Sequence, residues 1–325
     1  MITWFMCRGV VAGGLLLASA WVLAQGYPAR PVTLVVPFGA GGSSDSIART
    51  IAPKLSERLG QPVVIENLAG AGGVVGAGRV VRAAPDGYVL LLGSGSEILI
   101  NKLINPATPY DALTDLASIA FVSTGPMVLI GHPSLPAANV TELLRFARAR
   151  PGVLNYASAG NGTPMHVAGE LLNIRGNVAL VHIPYKGAPP AIADIIGGQV
   201  HLGFSTLSVA LPFIQAGKLR AYGLSTLTRA ETAPQIVPLG EVKELAGFDL
   251  GVWWGLFAPA KTPRAVLDKV EQEALFVLRQ PDVREKLAQQ SITPVGQPAA
   301  ALDRFMRAEV QSYRKVIETA GIKAD

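Results

Sequence analysis

Residues 32–50 read VTLVVPFGAGGSSDSIART, and their reading decides the fold. Val32–Val36 is an unbroken apolar run, as expected of a strand buried on both faces. From about Ser44 to Leu59 the apolar positions follow a helical period. Between strand and helix lies a loop made of Phe38, Gly39, Ala40, Gly41, Gly42, Ser43, Ser44 and Asp45. Its glycines let the backbone take positive φ and approach a ligand, while the free N–H groups of the first helical turn point into a cleft at the carboxyl end of the strand. Such a place binds anions. Ser43 and Ser44 are candidates to cap the helix or to donate to a bound oxygen. A loop shaped only for turning and capping is the plainer alternative for this segment taken alone.

The same alternation continues outward. Strands are predicted at Val63–Asn67 and Tyr88–Gly93, with a helix around Val74–Arg82 between them, so the first sheet is doubly wound. A second series opens near Met127: strand MVLIG, helix from Val140 to Ala149, strand NYAS, helix from Met165 to Leu172, then ALVHIP, a helix from Ala191 to Ile196, HLGFS and LRAYGLS. From about Gly251 the chain changes again, with strand VWWGLFAP and three helical stretches starting near Pro263, Pro281 and Pro298, where proline suits a first turn. A helical tail without strands of its own returns to cover the first sheet. The chain is therefore α/β and divides into a leader, 1–24, a first lobe formed by 25–125 with 250–325, and a second lobe, 126–249. The crossings fall near Ser123–Met127 and Phe248–Val252.

Ser158, Ala159, Gly160, Asn161, Gly162 and Thr163 repeat the glycine-loop design after NYA and before PMHVAGELL. Thr163 reads as an N-cap and Pro164 as a first-turn residue. Two anion-competent helix starts facing each other across an interlobe cleft fit a dicarboxylate. His166, one turn into that helix, orients the loop or touches the ligand, or is simply packed. Lys186 in PYKGAPP is either solvated or a cleft cation, and Trp253 and Trp254 read as strand and hinge packing.

Catalytic readings find less support. GAGGSS resembles the start of a dinucleotide fingerprint and Glu66 ends the next strand, but Ser44 stands at the third glycine and GAGGVVG at Gly70–Gly76 has the wrong spacing. There is no G-x-S-x-G, GSGS at Gly93–Ser96 being only similar. The four histidines, His132, His166, His182 and His201, lack metal-ligand spacing, and no cofactor is implied. An exported oxidoreductase or hydrolase would need an acid, base or nucleophile constellation that the residues do not supply.

Half of the 325 residues are hydrophobic, enough for a large core, and only 16% are charged. The formal net charge of +5 is spread thinly, with no basic stripe for nucleic acid. Arg8, the run GVVAGGLLLASAWVLA and the small residues before Gln25 read as a secretory signal peptide cleaved near Ala24, the run being short for a transmembrane anchor. The single cysteine, Cys7, lies within that leader, so disulfides play no part.

These segments together resemble the Bug family of periplasmic solute-binding proteins, receptors of tripartite tricarboxylate transporters. The matching stretches include YPARPVTLVVPFGAGGSSDSIAR, GQPVVIENLAGAGGVVGA, AAPDGYVLLLGS, PGVLNYASAGNGTPMHVAGELL, IPYKGAPPAIADIIGGQVHLGF, GKLRAYGLST, WWGLFAPAKTP and AEVQSYRKVIETAGIKAD, in family order over nearly the whole mature chain. The resemblance implies a two-lobe periplasmic binding protein of the Venus-flytrap type II class, each lobe a mostly parallel sheet flanked by helices. It implies capture of a small carboxylate, no catalysis, a monomer, and membrane transporter subunits as partners. An orphan receptor that signals to a membrane sensor is the alternative. By the same comparison the loops Phe38–Asp45 and Ser158–Thr163 hold the ligand carboxylate, and Ser94, Ser96, Tyr185, and Phe204 with Ser205 in the turn that follows border the cleft. Asp45 is either structural or, as in similar receptors, the partner of a ligand ammonium. His201 and Ser205 stand where the family usually has aspartates, and PQIVPLGE replaces its DVPT pattern, so the ligand itself is not implied.

Overall fold

A computed structural model describes residues 26–323; Cys7, Arg8, Ala24 and the leader lie outside the described residues. Strand β1 (Val32–Val36) is fully buried at four of its five positions and pairs in parallel with β2 (Val63–Asn67) and β3 (Val89–Ser94). Helix α1 (Ser43–Leu59) returns over this sheet, burying Ile47, Ile51 and Leu55 at helical spacing and ending on left-handed Gly60. Helix α2 (Val74–Val81) follows β2.

The chain then leaves the sequence-based reading. After β3 it turns through a π-helical segment, Ser96–Ile100, and single helical turns at Asn101–Ile104 and Ala112–Asp115. Strand β4 is far longer than MVLIG: it runs from Leu116 to Gly131 and belongs to both sheets. Its first part pairs antiparallel with β9 (Gly251–Pro259), and Met127–Gly131 pair with β7 (Leu202–Thr206) and β8 (Arg220–Leu224). β9 also joins β3, giving, with β5 (Asn155–Ser158) and β6 (Val181–Pro184), the order β2-β1-β3-β9-β4-β7-β5-β6. Each lobe thus has a parallel core extended by antiparallel strands where the lobes meet.

The second lobe builds its parallel core from β5 (Asn155–Ser158), β6 (Val181–Pro184) and β7. Helices α3 (Val140–Arg148), α4 (Pro164–Gly176), α5 (Ala188–Ile196) and α6 (Leu207–Gln215) flank it, α6 being absent from the sequence reading. Fully buried Ser225 ties the two crossings together: its Oγ accepts the Met127 amide (3.1 Å) and donates to the Leu250 carbonyl (2.5 Å).

The tail departs from expectation in one respect. Between α7 (Arg264–Leu278), α8 (Pro281–Gln289) and α9 (Ala299–Ala320) lies a strand, β10 (Thr293–Pro298), antiparallel to β4. TPVGQP has two prolines and a glycine, so it reads poorly as a strand; it pairs on one side only, the place where missing N–H groups are tolerated.

Candidate functional site

The carboxyl ends of β1, β3, β5 and β7 converge on one cleft, as an α/β sheet places its ligands. Phe38, Gly39, Gly42, Ser43, Ser44, Ser94 and Thr163 line a cavity of about 60 Å³ there, so seven of the expected site residues come together. Gly160, Asn161 and Tyr185 line an adjoining cavity of about 210 Å³, which shares Phe38 and Ala159 with the first and is bordered by exposed Lys186. No titratable side chain lines the smaller cavity.

The first loop keeps its donors for the cleft. The N-cap of α1 is Gly42, which caps with no side chain, and among the described residues no acceptor bonds the amides of Ser43, Ser44 or Asp45. Neither serine caps the helix. Ser43 Oγ instead crosses to the second lobe, 2.6 Å from both Thr206 Oγ1 and Ser208 Oγ, and Ser44 Oγ accepts Trp254 Nε1–H at 2.9 Å. Asp45 is buried but turns away from the cavity: its Oδ2 accepts the Gly41 amide (3.0 Å) and Arg49 Nε (2.9 Å). Burial alone would raise its carboxyl, and these bonds outweigh that, holding it below the usual carboxylate range. Ala40 and Gly41 shape the turn without lining the cavity.

The second loop spends its donors on itself. Ser158 Oγ accepts the Gly160 amide (3.1 Å) and meets His182 Nε2 (2.7 Å); the Gly162 amide goes to His166 Nδ1 (3.3 Å), and Thr163 Oγ1 donates to the Gly160 carbonyl (2.7 Å). Thr163 is the N-cap, as expected, taking the His166 amide, and Pro164 removes one more donor. His166 therefore orients the loop. Its ring stacks on that of His182 at 4.0 Å, and burial holds His182 neutral, its pKa pushed down to about 3.

Of the remaining expected residues, Ser96 is fully buried and bonds the carbonyls of Gly72 (2.6 Å) and Gly162 (2.9 Å), linking the two loops' neighbourhoods across the lobes. Approach is so close there that a Cβ on Gly72 would run into the Asn161 carbonyl. Phe204 stacks on Phe248 (6.0 Å) in the core, and Ser205 is buried beside it. Tyr185 donates to Asp194 Oδ2 (2.5 Å). His201 Nδ1 lies 2.7 Å from the Asn155 side-chain oxygen, which also accepts the His201 amide (2.9 Å), away from both cavities.

Sequence reasoning missed Trp254, Met165, Ala188, Pro189, Thr206 and Val252 in the cavity wall. Strand periodicity separates Trp253 from Trp254. Trp253 packs edge-on against Phe305, as hinge packing should, whereas Trp254 faces the cleft. Glu97 was also missed. It is 1% exposed, and its carboxylate accepts both the amide and the hydroxyl (2.9 Å) of Ser94. A lone acid in the apolar stretch SEILI was its only signal.

Residues 47–322 match the family described as the tripartite tricarboxylate transporter family receptor. The chain belongs to this family. It is 34% identical to BugT of Bordetella pertussis over 323 residues, 98% of this chain and 99% of that one. Two solved structures from Rhodopseudomonas palustris superpose closely on the receptor. One, with adipate, has a TM-score of 0.88 at 32% identity, covering 91% of this chain and 99% of that one. The other, MatC with bound malate, has a TM-score of 0.85 at 31% identity, covering 90% and 100%. The two-lobe periplasmic-binding-protein fold and a receptor's rather than an enzyme's role follow from this membership.

Proposed function

We propose that this receptor captures a small carboxylate, a dicarboxylate first among them, between a lobe formed by 25–125 with 250–325 and a lobe formed by 126–249. It does so in the periplasm, after export by the leader, and hands the ligand to the membrane subunits of a tripartite tricarboxylate transporter. The observation that carries the reading is the wall of the cleft. The unbonded amides of Ser43 and Ser44 at the start of α1 and the hydroxyls of Ser43 and Ser94 border a space with no charged side chain in its lining. Amide and hydroxyl dipoles stabilise an anion without a counter-charge. Phe38, Met165, Pro189 and Trp254 supply apolar surface for an aliphatic body. The adipate and malate of the two R. palustris structures are ligands of that type.

Magnitudes agree. Charge-assisted hydrogen bonds contribute about 1.5 to 3 kcal/mol each, so four give a gross ~6 to 12 kcal/mol against the ~8 kcal/mol that micromolar binding needs. Lobe closure over the apolar wall supplies the margin that ordering consumes. Titration calorimetry with succinate, malate, adipate and citrate tests the reading. Micromolar binding of at least one is expected, with the ligand recovered unchanged. Absence of heat and of thermal stabilisation with all four would overturn it.

A further inference from the structure

Glu97 is a buried carboxyl that the capture mechanism above leaves unused. It occupies the π-helical segment that follows β3, a geometry frequent at functional sites. Glu97 stands three residues after Ser94, the spacing at which a glutamate reaches back to a preceding serine, and under the end of β3 one of its oxygens accepts the Ser94 amide and the other meets Ser94 Oγ at 2.9 Å. Ser94 in turn lines the ligand cavity. The serine hydroxyl has one proton to give. With Glu97 ionised, that proton goes to the carboxylate and the cavity is offered only serine lone pairs, which repel an anionic oxygen. With Glu97 protonated, the acid donates to Oγ and the serine proton is released toward the cavity.

From this geometry we infer that Glu97 is a positioning residue that couples carboxylate capture to uptake of one proton from solvent, by switching Ser94 from acceptor to donor. The inference rests on the receptor reading above and concerns the same cleft. Burial supports it, pushing the Glu97 carboxyl up to about 8 despite its bonds from Ser94. Its neighbours supply no cation. Tyr110 donates its hydroxyl to the Glu97 carbonyl (3.0 Å). Lys102 is held by the carbonyls of Pro106 and Thr108, Asp115 accepts the Asp111 amide, and Arg79 and Arg82 on α2 point to solvent. From α9 come Tyr313 and Glu309, both raised by burial, and from α4 His166, engaged by the Gly162 amide. β3 and Ala71–Gly73 bring no titratable side chain. Among the described residues no ion pair reaches Glu97.

The test is titration calorimetry of the full receptor at about pH 7 and about pH 9, using the tightest of succinate, malate and adipate. The protonated fraction of a group of pKa about 8 falls about tenfold over that interval, so the Kd of the wild type is expected to rise about tenfold. Binding at the higher pH is expected to take up protons, read from the heat in buffers of different ionisation enthalpy. Glu97→Gln keeps an amide donor toward Oγ and an oxygen toward the Ser94 amide. Its Kd is expected to be flat across the interval, so that at the higher pH it binds about tenfold tighter than wild type, a gain that structural damage does not produce. A wild-type Kd that is independent of pH without proton uptake, or a Glu97→Gln variant that keeps the wild-type slope, overturns the inference while leaving the receptor reading intact. If wild type binds none of the three at either pH, the inference falls together with that reading. Should Glu97→Gln fail to fold, the wild-type slope and proton uptake decide alone.

Discussion

The two glycine loops are near-copies in sequence and opposites in structure. FGAGGSSD leaves the first amides of α1 unbonded and sends its serine hydroxyls outward, to Thr206 and Ser208 across the cleft and to Trp254 beside it. SAGNGT turns inward: Gly160, Gly162, Ser158 and Thr163 bond one another or the stacked pair His166 and His182. One loop is a donor set and the other a stiff platform. Pro164 is a local reason for the difference, because it removes an N–H where α1 has Ser43. Glycine-rich turns before helices are therefore equivalent as shapes but not as ligand sites, and what separates them is where each amide's hydrogen bond goes.

That contrast is open to experiment, beginning with the platform. Gly160 has φ +131°, and an added Cβ would stand 3.0 Å from the Tyr185 carbonyl. Gly160→Val is expected to distort the loop, weaken carboxylate binding by at least about a hundredfold and lower Tm by several degrees, the strain being about 1–3 kcal/mol. Calorimetry and thermal melts check it, and unchanged binding would mean that the platform does not need its shape. Ser43→Val tests the donor loop. It removes the hydroxyl that joins the lobes and is expected to weaken binding about 5- to 30-fold, by one or two hydrogen bonds, with little change in the apo melt. A loss confined to the apo melt would reverse the roles assigned to the loops.

Thr163→Val asks whether the second loop's hydroxyl serves the helix rather than the ligand. Loss of an N-cap is expected to lower stability by about 1 kcal/mol, about 2 °C in Tm, with less than about fivefold change in affinity. A larger effect on affinity than on stability would show Thr163 to be a ligand donor.

Asp45→Asn carries the smallest expected effect. Its Oδ2 is committed to Gly41 and Arg49, so a ligand without an amino group should bind within about tenfold of wild type, with Tm lower by about 1–2 °C. The sign of its pH dependence follows from a carboxyl whose folded pKa is depressed. Its stabilisation is fully present above the ordinary value of 3.8 and disappears as pH falls through the folded value. The difference in Tm between wild type and variant should therefore be constant at neutral pH and shrink below about pH 4. Paired titrations with succinate and aspartate complete the test, since exclusive binding of aspartate, eliminated in the variant, would make Asp45 an ammonium partner.

What the sequence by itself determined is what neighbours along the chain decide. The strand, turn and helix of residues 32–59, the Thr163 cap with Pro164 behind it, and β2, β5 and β9 within a residue or two are set by apolar period and local backbone chemistry. The family resemblance was legible in the same way, through segments in order, as the match of residues 47–322 shows. What tertiary structure alone decided is contact between residues far apart. Ser43 meets Thr206 across 163 positions and Trp254 meets Ser44 across 210. TPVGQP becomes a strand only because β4 offers it an edge, and β4 extends through the hinge because β9 runs beside it. Glu97 is an ordinary helix-forming acid until β3 and the glycine segment close over it. Desolvation, which makes it interesting, belongs to the packing and to no stretch of sequence.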